Sequence, residues 1–210
     1  MGKRIASTPD ARLREVCGTS TRATADRIVE TFRRATPADI VAGAQWYGEG
    51  ESFIDRQAAL HDLDRETVAA VVAHLSPRTT WQRNLEGTVN LLAMGSAPGC
   101  IGDNVDRARH ALAVSGQGGN PMGTLNGPKT RRFAANLLGD REAVTVDVWA
   151  ARVAFGPKIG REYDVEKLLA REGVYDAVEH AYKVAAQRLG IDPVTVQATT
   201  WIVARNGRAA

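Results

Sequence analysis

Two residues in this sequence have the type and the spacing to do chemistry together: Lys129 and Asp147, eighteen positions apart. The lysine follows Leu125-Asn126-Gly127-Pro128, a run suited to a tight turn. Gly127 lets backbone amides approach a ligand closely, and Pro128 suits the first turn of a helix. A helix from about Lys129 to Leu138 would offer unpaired N–H groups and the positive end of a dipole at its start, which suits phosphate. Arg131 and Arg132 add charge nearby. A lysine in its neutral form is a nucleophile toward carbon and forms a Schiff base. A carboxylate facing it would stabilise a developing sugar cation. Taken singly, Asp147 before an apolar helix reads as an N-cap and Lys129 as a solvated charge. Read together in one stretch, the two are candidates for joint chemistry.

Here the chain resembles the endonuclease III-like DNA glycosylases of the helix-hairpin-helix superfamily. In that pattern a hairpin ending Gly-x-Lys-Thr is followed by Val-Asp and then Arg-Val. This chain reads Gly127-Pro128-Lys129-Thr130, then Val146-Asp147, then Arg152-Val153. Leu125 stands where the family's hairpin has its first glycine, and Trp149 where many members have His. The resemblance implies Lys129 as Schiff-base nucleophile and Asp147 as the essential carboxylate. A second stretch, Leu75-Ser76-Pro77-Arg78-Thr79-Thr80-Trp81, resembles the family loop that fills the gap left by a flipped base. Arg78 takes the gap-filling position, where a guanidinium could stack on and pair with the orphan base. Double-stranded DNA is the implied partner, met by Arg78, Thr79, Asn126, Gly127, Thr130, Arg131 and Arg132. Trp81 and Trp149 are candidates for the base pocket, with core packing the competing role for each. Relatives often carry a C-terminal four-cysteine cluster; with two cysteines, Cys17 and Cys100, this chain is expected to hold no cluster, no metal and no other cofactor.

These residues must be positioned by helices. Thr24 to Arg33 carries Ile28, Val29 and Phe32 on one side. Thr36-Pro37 reads as N-cap and N1 of a helix that stops at Gly48-Glu49-Gly50, and another helix spans Glu51 to about His61. Asp64 caps a helix with Val68, Val71, Val72 and Leu75 as its buried stripe. Pro77 then forces a break. Further helices are expected over Trp81 to Met94, Asn104 to Val114, Asp164 to Ala170, Tyr175 to Leu189, and Val194 to about Val203. Phe155-Gly156-Pro157 is a turn, and Trp201 reads as core. Thr200 to Val203 with Gly207-Arg208 faintly resembles the family helix before its cluster. Val144-Thr145-Val146 is β-prone but too short to change the class. Met1 to about Arg22, with Lys3 and Arg4, reads as a polar tail, although Leu13 and Val16 could seat a short helix. His61, His74, His110 and His180 each stand alone, which suits surface or packing roles.

The expectation is an all-α fold of two helical lobes, with the helix-hairpin-helix at the cleft between them. Residues 59–141 would form one lobe, and residues 1–58 with 142–210 the other. A hydrophobic content of 44% is that of a globular protein. The net charge of +3 and a pI near 9.1 permit nucleic-acid binding without demanding it. The sequence shows no transmembrane run and no signal peptide, which points to a cytoplasmic monomer without a membrane partner (in the host cytoplasm if phage-encoded). The functional expectation is base excision through a flipped nucleotide, with AP-lyase cleavage in its train. Two alternatives stand beside it. One keeps the fold and acts on hypermodified bases, as bacteriophage relatives of this style are thought to do. The other is a non-catalytic helix-hairpin-helix DNA-binding protein.

Overall fold

The computed structural model describes residues 8–156 and 159–207. Expectations resting on Lys3, Arg4, Pro157 and Arg208 lie outside the described residues. Among those described, the chain is all-α: eleven α-helices, one 3-10 turn and no strand. No described helix is long and apolar enough to cross a membrane. The helices are α1 Pro9–Cys17, α2 Thr21–Arg33, α3 Pro37–His61, α4 Arg65–Leu75, α5 Trp81–Met94 and α6 Gly102–Gly116. After the 3-10 turn Pro121–Thr124 come α7 Pro128–Leu137, α8 Val148–Phe155, α9 Glu162–Leu169, α10 Val174–Leu189 and α11 Pro193–Arg205. The chain divides into two compact units, one of Met1–Trp46 with Arg141–Ala210, the other of Tyr47–Asp140.

From Thr8 onward the N-terminal stretch takes the second of its two sequence readings, a short helix seated by Leu13 and Val16 rather than a tail. Thr8 caps α1 by accepting from the Ala11 amide, and Leu13 is fully buried. The expected stop at Gly48-Glu49-Gly50 is corrected, because α3 runs unbroken through it. Two of its glycines, Gly43 and Gly50, serve packing instead. A Cβ at Gly43 would stand 2.8 Å from the Thr199 amide nitrogen and 2.9 Å from its Cα, so α11 crosses α3 at backbone contact. A Cβ at Gly50 would press on Leu137. The start of α3 was legible. Thr36 and Asp39 cap it reciprocally, the Asp39 amide donating to Thr36 Oγ1 and the Thr36 amide to Asp39 Oδ2.

In the first unit, α10 packs along α2 and α1, and α11 along α8, α2 and α10. Ile28, Phe32, Val153, Val178 and Tyr182 fill the core between them. The β-prone run Val144-Thr145-Val146 enters this core as extended chain. With no neighbouring strand, its backbone polar groups need other partners. Helix α10 supplies them. Tyr175 Oη donates to the Val144 carbonyl at 3.0 Å and accepts from the Val146 amide at 2.9 Å. Glu179 accepts from the Val144 amide at 3.3 Å and is itself paired with Lys183. This grip delivers the chain to Asp147 and the head of α8.

In the second unit, α4 is the central element. Every residue from Thr67 to Leu75 is buried, so its apolar face is the whole circumference rather than the four-residue stripe. Helices α5, α6 and α7 and the 3-10 turn all pack on it. Val71, Leu75, Leu91, Val105 and Ala108 form one shared cluster.

Candidate functional site

The hairpin residues belong to the second unit. Gly127 adopts φ 81°, ψ 158° as N-cap of α7, a left-handed region that favours glycine. Pro128 follows at the first helical position. Gly127 has no side chain with which to cap the helix, so the first-turn amides of α7 carry no side-chain cap. Thr130 Oγ1 donates back to the Asn126 carbonyl at 2.6 Å, and Arg131 Nε to the Leu125 carbonyl at 3.2 Å. Two side chains expected to meet DNA thus also brace the turn that presents them. Leu125 is buried and anchors the turn, whereas Asn126, Gly127 and Arg131 are exposed. Lys129 is half-buried one residue after the proline, and it has no hydrogen bond or ion pair among the described residues. Arg132 is half-buried and the next residue, Phe133, packs inward.

A histidine ties this hairpin to α4. His74 is buried, and its Nε2 lies 2.9 Å from Thr124 Oγ1. Thr124 donates its own proton to the Pro121 carbonyl at 2.7 Å, so the imidazole is the donor in the first bond. Burial, then the charges of Arg107 and His110, hold the imidazole below its usual pKa, which keeps it neutral. Gly127 lies three positions after Thr124, and Arg78 four positions after His74. The hairpin and the Arg78 loop therefore leave from the same end of α4.

The loop itself is braced from α6, where Asn104 donates to the Pro77 carbonyl at 3.1 Å, and Asn84 on α5 donates to the Val72 carbonyl at 3.1 Å in the last turn of α4, from which the loop leaves. Arg78 is exposed at the tip with φ 57°, a left-handed conformation that costs a non-glycine residue about 1–2 kcal/mol. Thr79 Oγ1 donates to the Pro77 carbonyl at 3.3 Å, and Thr80 caps α5. Trp81 is half-buried and set edge-on to Phe133, with ring centroids 6.2 Å apart.

Asp147 belongs to the first unit, at the N-cap of α8. Its Oδ1 accepts from the Ala150 amide at 2.8 Å, and its Oδ2 from Trp201 Nε1 at 3.1 Å. The carboxylate is half-buried. Close by, Tyr182 donates to the Ala150 carbonyl at 3.1 Å. Burial first, and the charge of Asp147 further, push its phenol pKa up, so it stays a neutral donor. Trp149 is half-buried under the Arg152 guanidinium, 4.8 Å from its ring centroid. Trp201, expected in the core, is half-buried between Trp46 and Arg205. Neither its contact with Asp147 nor that of His74 with Thr124 has a spacing signal, because the partners lie 54 and 50 positions apart.

The described residues thus define an all-helical protein of two units, each with a braced polar centre. The chain belongs to the family described as "Family of unknown function (DUF7178)", which matches residues 10–208. No curated protein and no solved structure matches it.

Proposed function

We propose that this chain is a DNA glycosylase that releases a damaged or modified base from a flipped-out nucleotide. The observation that carries the reading is the Asp147 carboxylate, half-buried and gripped through both oxygens by neutral N–H donors. Such a group is preorganised to oppose a cation that develops only in the transition state. The reading takes α6, the Gly127 turn and α7 as the helix-hairpin-helix element, and the first-turn amides of α7, which carry no side-chain cap, suit a phosphate of the duplex. Arg78 would enter the gap in the stack.

In the reaction, the glycosidic bond breaks and its electron pair leaves with the base, which takes up a proton. Asp147 stabilises the sugar cation. The neutral amine of Lys129 forms a bond to the anomeric carbon, and the adduct collapses to an imine as the ring opens. β-Elimination of the 3′ phosphate can follow.

The test is borohydride trapping over a panel of damaged and phage-modified duplexes. Borohydride reduces the imine to a stable crosslink. Wild type should trap, Lys129→Gln should not, and Asp147→Asn should lose base release while keeping duplex affinity. A wild-type chain that binds duplex but never traps or releases a base is a binding protein only. Full release by Asp147→Asn leaves Asp147 as a helix cap.

A further inference from the structure

We propose that Trp201 is a positioning residue for Asp147, its indole N–H fixing the carboxylate in the orientation the reaction uses. The inference rests on the glycosylase reading above. An aspartate N-cap ordinarily ties one oxygen to a first-turn amide, as Oδ1 is tied here to Ala150. The terminal torsion of an aspartate has a broad well, so one bond leaves the second oxygen free to swing. Here the second oxygen is held as well, by a donor from another helix, α11. A hydrogen bond to a carboxylate is stronger than one between neutral groups.

The donor is itself fixed. Gly43 lets α3 approach α11 at Thr199, two residues before Trp201. Three residues after Gly43, Trp46 sets its ring against the indole, with centroids 6.1 Å apart and planes at 54°. On α11, Arg205 stacks its guanidinium 4.7 Å from the indole centroid. The ring is partly buried, so packing holds it while an edge stays open to solvent. Its one polar atom lies on the carboxylate. An indole N–H only donates, so it supports the carboxylate anion without competing for the proton or the cation.

The test needs no knowledge of the base. Two duplexes are compared, one with a neutral tetrahydrofuran abasic analogue and one with a cationic pyrrolidine analogue that imitates the sugar cation. Wild type should prefer the cationic duplex. Asp147→Asn should lose the preference. Trp201→Phe, which keeps an aromatic ring and removes the donor, should lower the preference about tenfold and leave affinity for the neutral duplex unchanged. No preference in wild type sinks the glycosylase reading and this inference with it. A preference lost in Asp147→Asn but intact in Trp201→Phe overturns this inference alone. If Trp201→Phe does not fold, the indole N–H proton resonance of Trp201 decides. It should move on Asp147→Asn and be protected from exchange in wild type; an unmoved resonance refutes the link.

Discussion

Replacing Tyr175 with Phe should weaken the protein and loosen the segment that carries Asp147. The hydroxyl of Tyr175 serves two backbone groups at once, the Val144 carbonyl and the Val146 amide, at 3.0 and 2.9 Å. Both valines are fully buried, and neither group has another partner among the described residues. Phe fills nearly the same volume, so cavity terms are small, but it strands a donor and an acceptor. Each buried orphan costs about 1–3 kcal/mol, and the two share one segment, so the expected loss is about 2–4 kcal/mol. In a chain of this length that lowers the melting temperature by about 5–12 °C. Tyr182→Phe is the control. It removes a bond to the Ala150 carbonyl, a group inside α8 that the helix ladder can still satisfy, so about 1 kcal/mol is expected. Urea denaturation measures both variants, and amide exchange at Val146 reports the segment directly. A Tyr175→Phe loss below about 0.5 kcal/mol, with Val146 still protected, would refute the claim that α10 holds this stretch.

Three further outcomes follow from the same coordinates. Gly43→Ala should destabilise by about 1–3 kcal/mol, because its Cβ meets Thr199 backbone, whereas Gly48→Ala, with nothing within 4 Å, should stabilise by about 0.5–1 kcal/mol; equal effects in thermal melts would refute the packing role. Arg78→Gly and Arg78→Ala both delete the guanidinium and should weaken duplex binding alike, but Gly should be more stable in urea by about 1 kcal/mol because the residue sits at φ 57°. His74 has a folded pKa below its ordinary 6.5, so as pH falls from there the unfolded chain takes up a proton that the folded chain refuses, and stability drops. His74→Gln should lessen the difference between urea midpoints measured at pH 7.5 and pH 5; an unchanged difference would rule His74 out as its source.

Features whose cause lies within a few residues were legible in the sequence. The reciprocal cap of Thr36 and Asp39, the Asp192-Pro193 start of α11 and the Gly190 stop of α10 stand where local chemistry puts them. The Gly127-Pro128 turn and the Asp147 cap were equally plain. Features decided by a distant partner were not. Gly48-Glu49-Gly50 has the composition of a stop, yet α3 runs through it, and Gly50 sits where a Cβ would press on the Leu137 side chain. Val144-Thr145-Val146 has strand propensity, but α10 satisfies its backbone and no strand forms. Trp201 looked like core because nothing near it in the chain names its acceptor.

The same division separates a motif from a site. A glycine hairpin before a helix and an aspartate at a helix start occur widely, and each is complete as a structural device without any ligand. In both units a remote side chain adds what the device does not need. His74 reaches Thr124 at the base of a hairpin already anchored by Leu125, and Trp201 takes the one oxygen of Asp147 that capping leaves over. Arg78 is held at φ 57° in a loop braced from α6. A capping role alone requires one bond to Asp147, from the Ala150 amide. The bond from Trp201 Nε1 to the other oxygen is an addition from a distant helix, and what it adds is the orientation of the carboxylate.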